Sequence, residues 1–178
     1  MRGVTLEAFK IPSASMLPTL QVGDYLLISK VRYGVRLPGF GRWIVRFGTP
    51  HVGDVIVFAN PRDPTLDYVK RVIAVAGEVV EIRNKQVFVD GVPRDVPAAY
   101  FAQRSHVQLK GPRDNFGPVR VPPGQVFVLG DNRDQSIDSR FWGFVDVNDV
   151  EGKAFLVYWS ADSDDGSARW ERMGKLIH

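Results

Sequence analysis

The sequence predicts an all-β protein. Short β-branched and aromatic runs recur between Gly, Pro, Asn and Asp, and no segment sustains the apolar period of a long helix. The chain of 178 residues, 44% hydrophobic and 24% charged, has the length and composition of a folded protein of one or two domains.

Taken in order, the strands expected are 24–30, 54–59, 66–76, 79–83, 86–90, 125–129 and 153–159. The first, "DYLLISK", starts after Gly23, and the second, "DVIVFA", runs from Gly53 to the Asn60-Pro61 pair. The third, "LDYVKRVIAVA", ends at Gly77. Strands 79–83 and 86–90 form a hairpin, "EVVEIRNKQVFVDG", with Asn84 and Lys85 as its two-residue turn. "QVFVL" follows Gly124 and stops at Gly130, and "KAFLVYW" follows Gly152. Residues 32–50 and 93–118 read as surface loops; the second is long enough to carry a small subdomain inserted into the main sheet.

Composition removes several function classes. With 23 Lys and Arg against 20 Asp and Glu, and no basic run or basic helix face, nucleic acid is not an expected partner. Cysteine is absent, which excludes disulfides, thiol nucleophiles and iron–sulfur sites. No stretch reaches the ~18–20 apolar residues of a membrane span. The acids of segment 130–145, "GDNRDQSIDSRFWGFV", do not make a calcium loop, since Arg133 and Gln135 fall where oxygen ligands are needed and no Glu closes it. No metal and no cofactor are expected.

Two segments carry nucleophile chemistry. "IPSASMLPTL" places Ser13 and Ser15 one residue apart between Pro12 and Pro18, among Ile11, Met16, Leu17 and Leu20, too constrained for a plain connector. A serine needs a base. His51, His106 and His178 sit in no constellation with a carboxylate, so the candidate base is Lys70. With a period of two, Tyr68, Lys70, Val72, Ala74 and Ala76 share one strand face and Asp67, Val69, Arg71, Ile73 and Val75 the other. In that apolar row desolvation depresses the lysine pKa, and Arg71 adds repulsion in the same direction. On the strand pattern alone, snorkelling of Lys70 to solvent stays open. Segment 130–145, dense in Asp, Asn, Arg and Ser yet closed by Phe141, Trp142 and Phe144, reads as a buried network that orients other groups.

Together, "PSASMLPTL", "DYVKRVIAVAGE" and "GDNRDQSIDSRFWGFV", in this order, resemble the sequence boxes of bacterial signal peptidase I, the leader peptidase with a Ser–Lys dyad; "RMGKLIH" at the end is also similar. The resemblance implies Ser15 as nucleophile, Lys70 as general base, and Ser13 with the Ser15 N–H as oxyanion donors. Ser136 would hold the Lys70 amine, Asp138 would pair with Arg140, and Asp131 with Arg71. An extended substrate would lie beside Asp67, Tyr68 and Val69. Shallow pockets near Ile11, Met16, Leu20, Tyr68 and Val69, with Phe9 and Asp67 further along, would select an Ala-x-Ala site in secretory preproteins. The fold implied is two antiparallel-sheet domains, as in signal peptidases and SOS-type repressor proteases: a catalytic core over 1–76 and 124–178, and a smaller inserted β subdomain over 77–123.

The resemblance also implies a cell-membrane enzyme with this domain on the extracytoplasmic side. The family's N-terminal membrane anchor is expected to lie ahead of this chain, since "RGVTLEAFKIP" reads like the segment just after a span. Contact with the lipid bilayer surface is expected through Trp43, Ile44, Val45 and Phe47, flanked by Arg42 and Arg46, and through Trp159 and Trp170; the alternative is a loop packed on its own sheet. Three other functions remain: a self-cleaving repressor, disfavoured by the lack of room for a DNA-binding domain, a narrow-specificity peptidase maturing conjugation or pilus proteins, and a catalytically silent peptide-binding module. Oligomeric state is unreadable.

Overall fold

A computed structural model describes residues 6–30, 34–36, 43–46, 48–101 and 111–178. Its strands are β1 (Leu6–Lys10), β2 (Asp24–Ser29), β3 (Gly34–Arg36), β4 (Trp43–Arg46), β5 (Val55–Asn60), β6 (Asp63–Val75), β7 (Val79–Arg83), β8 (Gln86–Val89), β9 (Val92–Pro93), β10 (Phe116–Arg120), β11 (Gln125–Leu129), β12 (Val145–Asp146), β13 (Val150–Ser160) and β14 (Lys175–Leu176). Among the described residues the one α-helix, Ser139–Trp142, is a single turn.

The large sheet has the order β1-β2-β13-β5-β6-β11-β12, with β14 also on β13, and every pairing in it is antiparallel. The small sheet, β10-β7-β8-β9, stands apart in the chain between Val79 and Arg120. Its hairpin turns at Asn84 and Lys85 with φ of 49° and 71°, the doubly left-handed geometry that matches strand twist in two-residue loops. The expected loop 32–50 contains a ribbon instead, since β3 pairs with β4. Residues 39–42 and 47 of its aromatic stretch, and His106, lie outside the described residues.

Three apolar clusters hold the molecule. Ile11, Met16 and Leu20 from the serine segment pack with Leu26, Ile28, Val55 and Val57 on one face of the large sheet. Ile56, Phe58, Val72 and Val128 pack on another face, so β5 is buried on both sides. Ile73, Ala74, Phe127 and Leu129 meet Val80, Ile82, Val87 and Val89 of the small sheet, joining the two.

The strict two-residue period expected along β6 fails at Ile73. Ala74 pairs with Phe127 and Val72 with Val128, so Ile73 is one residue more than its partner strand supplies. This bulge turns Ile73 and Ala74 together toward the small sheet, while Val75 rejoins Val72. Ala74 therefore does not share the face of Lys70 and Val72, and Val75 does not share that of Ile73.

A buried ion pair closes the sheet beneath the serine segment. Asp24 accepts from Arg172 Nε (2.9 Å) and Nη2 (2.5 Å), from Ser160 Oγ (2.7 Å) and from Gln21 N–H (2.8 Å). Burial raises the carboxyl pKa, but the Arg172, Gln21 and Ser160 hydrogen bonds outweigh it and hold it below the usual range. Arg172 Nη2 also donates to Thr19 O (3.1 Å), tying the pair to the loop after Ser15. Asp24→Asn leaves that guanidinium uncompensated and is expected to cost ~3–5 kcal/mol in urea unfolding; a loss below ~1 kcal/mol would show the pair to be solvated.

Candidate active site

The serine segment leaves β1 at Lys10, makes a 3₁₀ turn over Ala14–Met16, and packs Ile11 and Met16 into the first core cluster. That anchoring carries Ser15, 8% exposed, over β6. Lys70 Nζ lies 2.8 Å from Ser15 Oγ and 3.1 Å from Val69 O. Ser13 Oγ lies 3.3 Å from Ser15 Oγ.

Lys70 is 4% exposed, which settles the choice left open by strand pattern: its side chain does not reach solvent. Burial pushes its pKa down from 10.5 to about 8, against the pull of Asp138 and Asp131. The repulsion expected from Arg71 is not among the causes of this shift. Arg71 is occupied elsewhere, its Nε and Nη2 gripping Asp131 at 2.7 and 2.8 Å while Nη1 donates to Gly53 O and His178 O.

Asp138 is bound in the same two-pronged way by Arg140 Nε and Nη2, both at 2.8 Å, and its remaining capacity takes Gly130 N–H and Arg140 N–H. Arg133 differs. It is 4% exposed, its Nε and Nη2 have no hydrogen-bond partner among the described residues, and burial together with Arg140 lowers its pKa to about 10.

Ser136 departs from expectation. Its Oγ is buried and makes no hydrogen bond among the described residues, so the expected bond to Lys70 is not formed; Lys70 is held by Ser15 and Val69 instead. Gly130 explains how the segment comes so near: a Cβ there would collide with Ser136 Oγ and the Ser15 carbonyl oxygen, so this close approach requires glycine.

A cleft of about 480 Å³ opens beside the pair, lined by Phe9, Ile11, Met16, Asp67, Tyr68 and Val69 among others. Leu20 is not part of it, because its side chain is wholly buried in the first core cluster. Lys10, Pro12, Leu66, Gln135 and Ile137, which pattern reading left out, also line the cleft. Burial, with repulsion from Glu7, raises the Asp67 carboxyl pKa against the pull of Lys30. On this side β6 is a free edge among the described residues, since β11 pairs with it from Arg71 to Val75 alone. His51 is exposed beside Asp54, and His178 enters the network through its carbonyl.

A hydroxyl beside an amine that is partly neutral near physiological pH can act as a nucleophile with its own base, next to an edge that an extended chain can join. Comparison with known proteins gives the same direction. The family model described as "Signal peptidase, peptidase S26" matches residues 1–159. Signal peptidase I of Pseudomonas aeruginosa is 35% identical over 210 residues, covering 100% of this chain and 74% of the relative. The Pseudomonas fluorescens protein is 35% identical over 190 residues, covering 90% and 67%, and the probable signal peptidase I-1 of Synechocystis 38% over 183 residues, covering 99% and 80%.

The lysine sets a stability signature. An unfolded lysine keeps a pKa near 10.5 and the folded one about 8, so between these values the folded state binds fewer protons and stability rises with pH; below about 8 the burial penalty is complete. Lys70→Met is therefore expected to melt a few degrees above wild type below pH 8, with the gap narrowing as pH rises toward 10.5. A pH-independent difference in melting temperature would place the Lys70 ammonium in contact with water.

Proposed function

The chain belongs to the signal peptidase family, peptidase S26, and from that premise we propose how this serine endopeptidase, a signal peptidase I acting on preproteins that carry signal peptides, performs its cut. The observation that carries the proposal is the 2.8 Å contact between Ser15 Oγ and a lysine whose pKa is about 8. At pH 7 about one Lys70 in ten is neutral, enough to serve as a base. The neutral amine takes the Ser15 proton as Oγ attacks the scissile carbonyl carbon. The oxyanion formed is bound by the Ser15 N–H and Ser13 Oγ. When the tetrahedral intermediate collapses, the Lys70 ammonium protonates the departing amine, the new N-terminus of the mature protein. The signal peptide stays on Ser15 as an ester. Lys70 then deprotonates a water that hydrolyses it, and Ser15 recovers its proton.

The braces act through charge. Asp131 and Asp138 pull the Lys70 pKa upward, but each is gripped by its own arginine and neither hydrogen-bonds the amine, so burial prevails and leaves it at about 8. Ser136, which has no partner beside Gly130, is the acceptor we assign to an N–H of the neutral amine. The substrate adds as a strand to the open edge at Asp67, Tyr68 and Val69, and a cleft floored by Ile11 and Met16 accepts small side chains at the first and third positions before the cut, an Ala-x-Ala preference. The small sheet is the inserted subdomain of this reading.

The enzyme works at the extracytoplasmic membrane surface in this proposal. No helix among the described residues is long and apolar enough to cross a membrane. Trp170, 72% exposed, meets Trp159 edge to face at 6.1 Å, and such aromatic rings suit a lipid interface.

The test is cleavage of a purified preprotein bearing an Ala-x-Ala site, in detergent or lipid, with the product N-terminus read by mass spectrometry. A single cut after the second Ala is expected, with kcat/KM rising with pH about a midpoint near 8. Ser15→Ala and Lys70→Met should each lose at least ~10³-fold, and Ser13→Ala ~10²-fold or more in kcat. A cut surviving Ser15→Ala would withdraw the dyad. Cleavage confined to a single pilus or conjugation precursor would select the narrow-specificity reading.

A further inference from the structure

One residue of the third segment grips the nucleophile's own loop. Asn132, 1% exposed, donates from Nδ2 to the Ala14 carbonyl oxygen (3.1 Å) and from its backbone N–H to the Ser15 carbonyl oxygen (3.1 Å). Nδ2 also lies 3.1 Å from Gln135 Oε1. The Ala14 carbonyl can only accept, so the amide must present nitrogen to it; reversed, two acceptors would face each other. Asn132 is itself held from behind, because Tyr100 donates its N–H to Asp131 O (2.7 Å) and accepts the Arg133 N–H (2.8 Å) on either side of it.

What Asn132 grips is a single peptide group. The Ala14 oxygen and the Ser15 N–H belong to one planar trans unit and point in opposite directions. A donor that fixes where Ala14 O points therefore fixes where the Ser15 N–H points. The 3₁₀ turn supplies one restraint on that oxygen, the Leu17 N–H at 3.2 Å, and Ser13 contributes no side-chain cap hydrogen bond. The Asn132 amide is the second restraint, and its backbone bond to Ser15 O holds the following peptide as well.

From this we infer that Asn132 is a positioning residue of the oxyanion hole: through the Ala14 carbonyl it aims the Ser15 N–H at the oxygen that becomes charged in the transition state. The inference rests on the reading of Ser15 as nucleophile and oxyanion donor. A purely structural part for Asn132 explains less of the site, because its Oδ1 is buried with no partner among the described residues. A buried amide that satisfies one end and strands the other is a poor stabilising device. Its nitrogen end, which faces the reacting loop, is the end that is used.

The test compares wild type, Asn132→Ala and the isosteric Asn132→Asp, which replaces the donor by an acceptor, on an Ala-x-Ala peptide. Affinities are measured for the corresponding peptide aldehyde, whose adduct with Ser15 places an oxyanion in the hole, and for the cleaved product peptide, which does not. In both variants kcat is expected to fall ~10–100-fold with KM within about twofold, and aldehyde affinity to fall in the same proportion. Product affinity should stay where it is in both variants, and the pH midpoint near 8 set by Lys70 should not move in Asn132→Ala, which adds no charge. An unchanged kcat in the folded Asp variant, or equal losses for aldehyde and product, would overturn the inference. Wild type that cleaves nothing would instead remove the dyad reading, and this inference with it.

Discussion

The constraint on which the rest of the site depends is a lysine that must be buried without being paired. A solvated ammonium near 10.5 is a poor base at physiological pH, and an ammonium facing an unengaged carboxylate is worse. Burial to 4% exposure supplies the downward shift, but it places Lys70 in the field of two aspartates that pull the other way. The conflict is resolved because each carboxylate has a two-pronged arginine of its own, Arg71 from β6 on Asp131 and Arg140 from the third segment on Asp138. Asp138 thus binds the Gly130 and Arg140 N–H groups and Asp131 binds Thr19 Oγ1, shaping the site, while Arg140 and Arg71 keep the two acids from capturing the lysine.

The same logic explains the apolar anchors around the serine. Ile11, Met16 and Leu20 bury the segment from below, while Asn132 and Thr19 tie it to the third segment from above, Thr19 Oγ1 donating to Asp131 Oδ2 at 2.5 Å. Thr19 also lies within reach of Arg71, at 3.4 Å from Nη2, so the Ser15 loop, the Lys70 strand and the acidic segment form one hydrogen-bonded unit. A shift of any of the three is felt by the others.

Strands with strong local punctuation were legible: the hairpin around Asn84 and Lys85 declares its turn, and 125–129 is bounded by glycines on both sides. Strands whose pairing is decided elsewhere were not. Leu6–Lys10 reads as the segment after a span until β2 supplies its partner, and Phe116–Arg120, interrupted by Gly and Pro, holds its place through β7. In the site, residue types pointed to Ser15 and Lys70, since a serine without histidine needs another base. Which side chains line the cleft depended on rotations that pattern does not encode: Leu20 turned into the core, while Gln135 and Ile137 came from the third segment, far along the chain from Lys70 and its neighbours. The part of Asn132 was hidden because its partners are backbone atoms, which every residue possesses.

In the proposed reading, the position of the third segment also decides where a peptide binds. β11 accompanies β6 from Val75 to Arg71, and the chain then turns away at Gly130. Had β11 continued, it would have satisfied the backbone of Asp67, Tyr68 and Val69 and covered the face of Lys70. By leaving one residue short of the lysine, it exposes a short stretch of unpaired strand, a feature that folded proteins usually suppress because it invites association with another chain. Here the invitation is confined to the length of a few residues, is flanked by the cleft, and ends beside Ser15. The segment that leaves the edge open is the one that returns Asn132 to the Ser15 loop, so access for a peptide and the geometry that would cut it arise from the same turn of the chain.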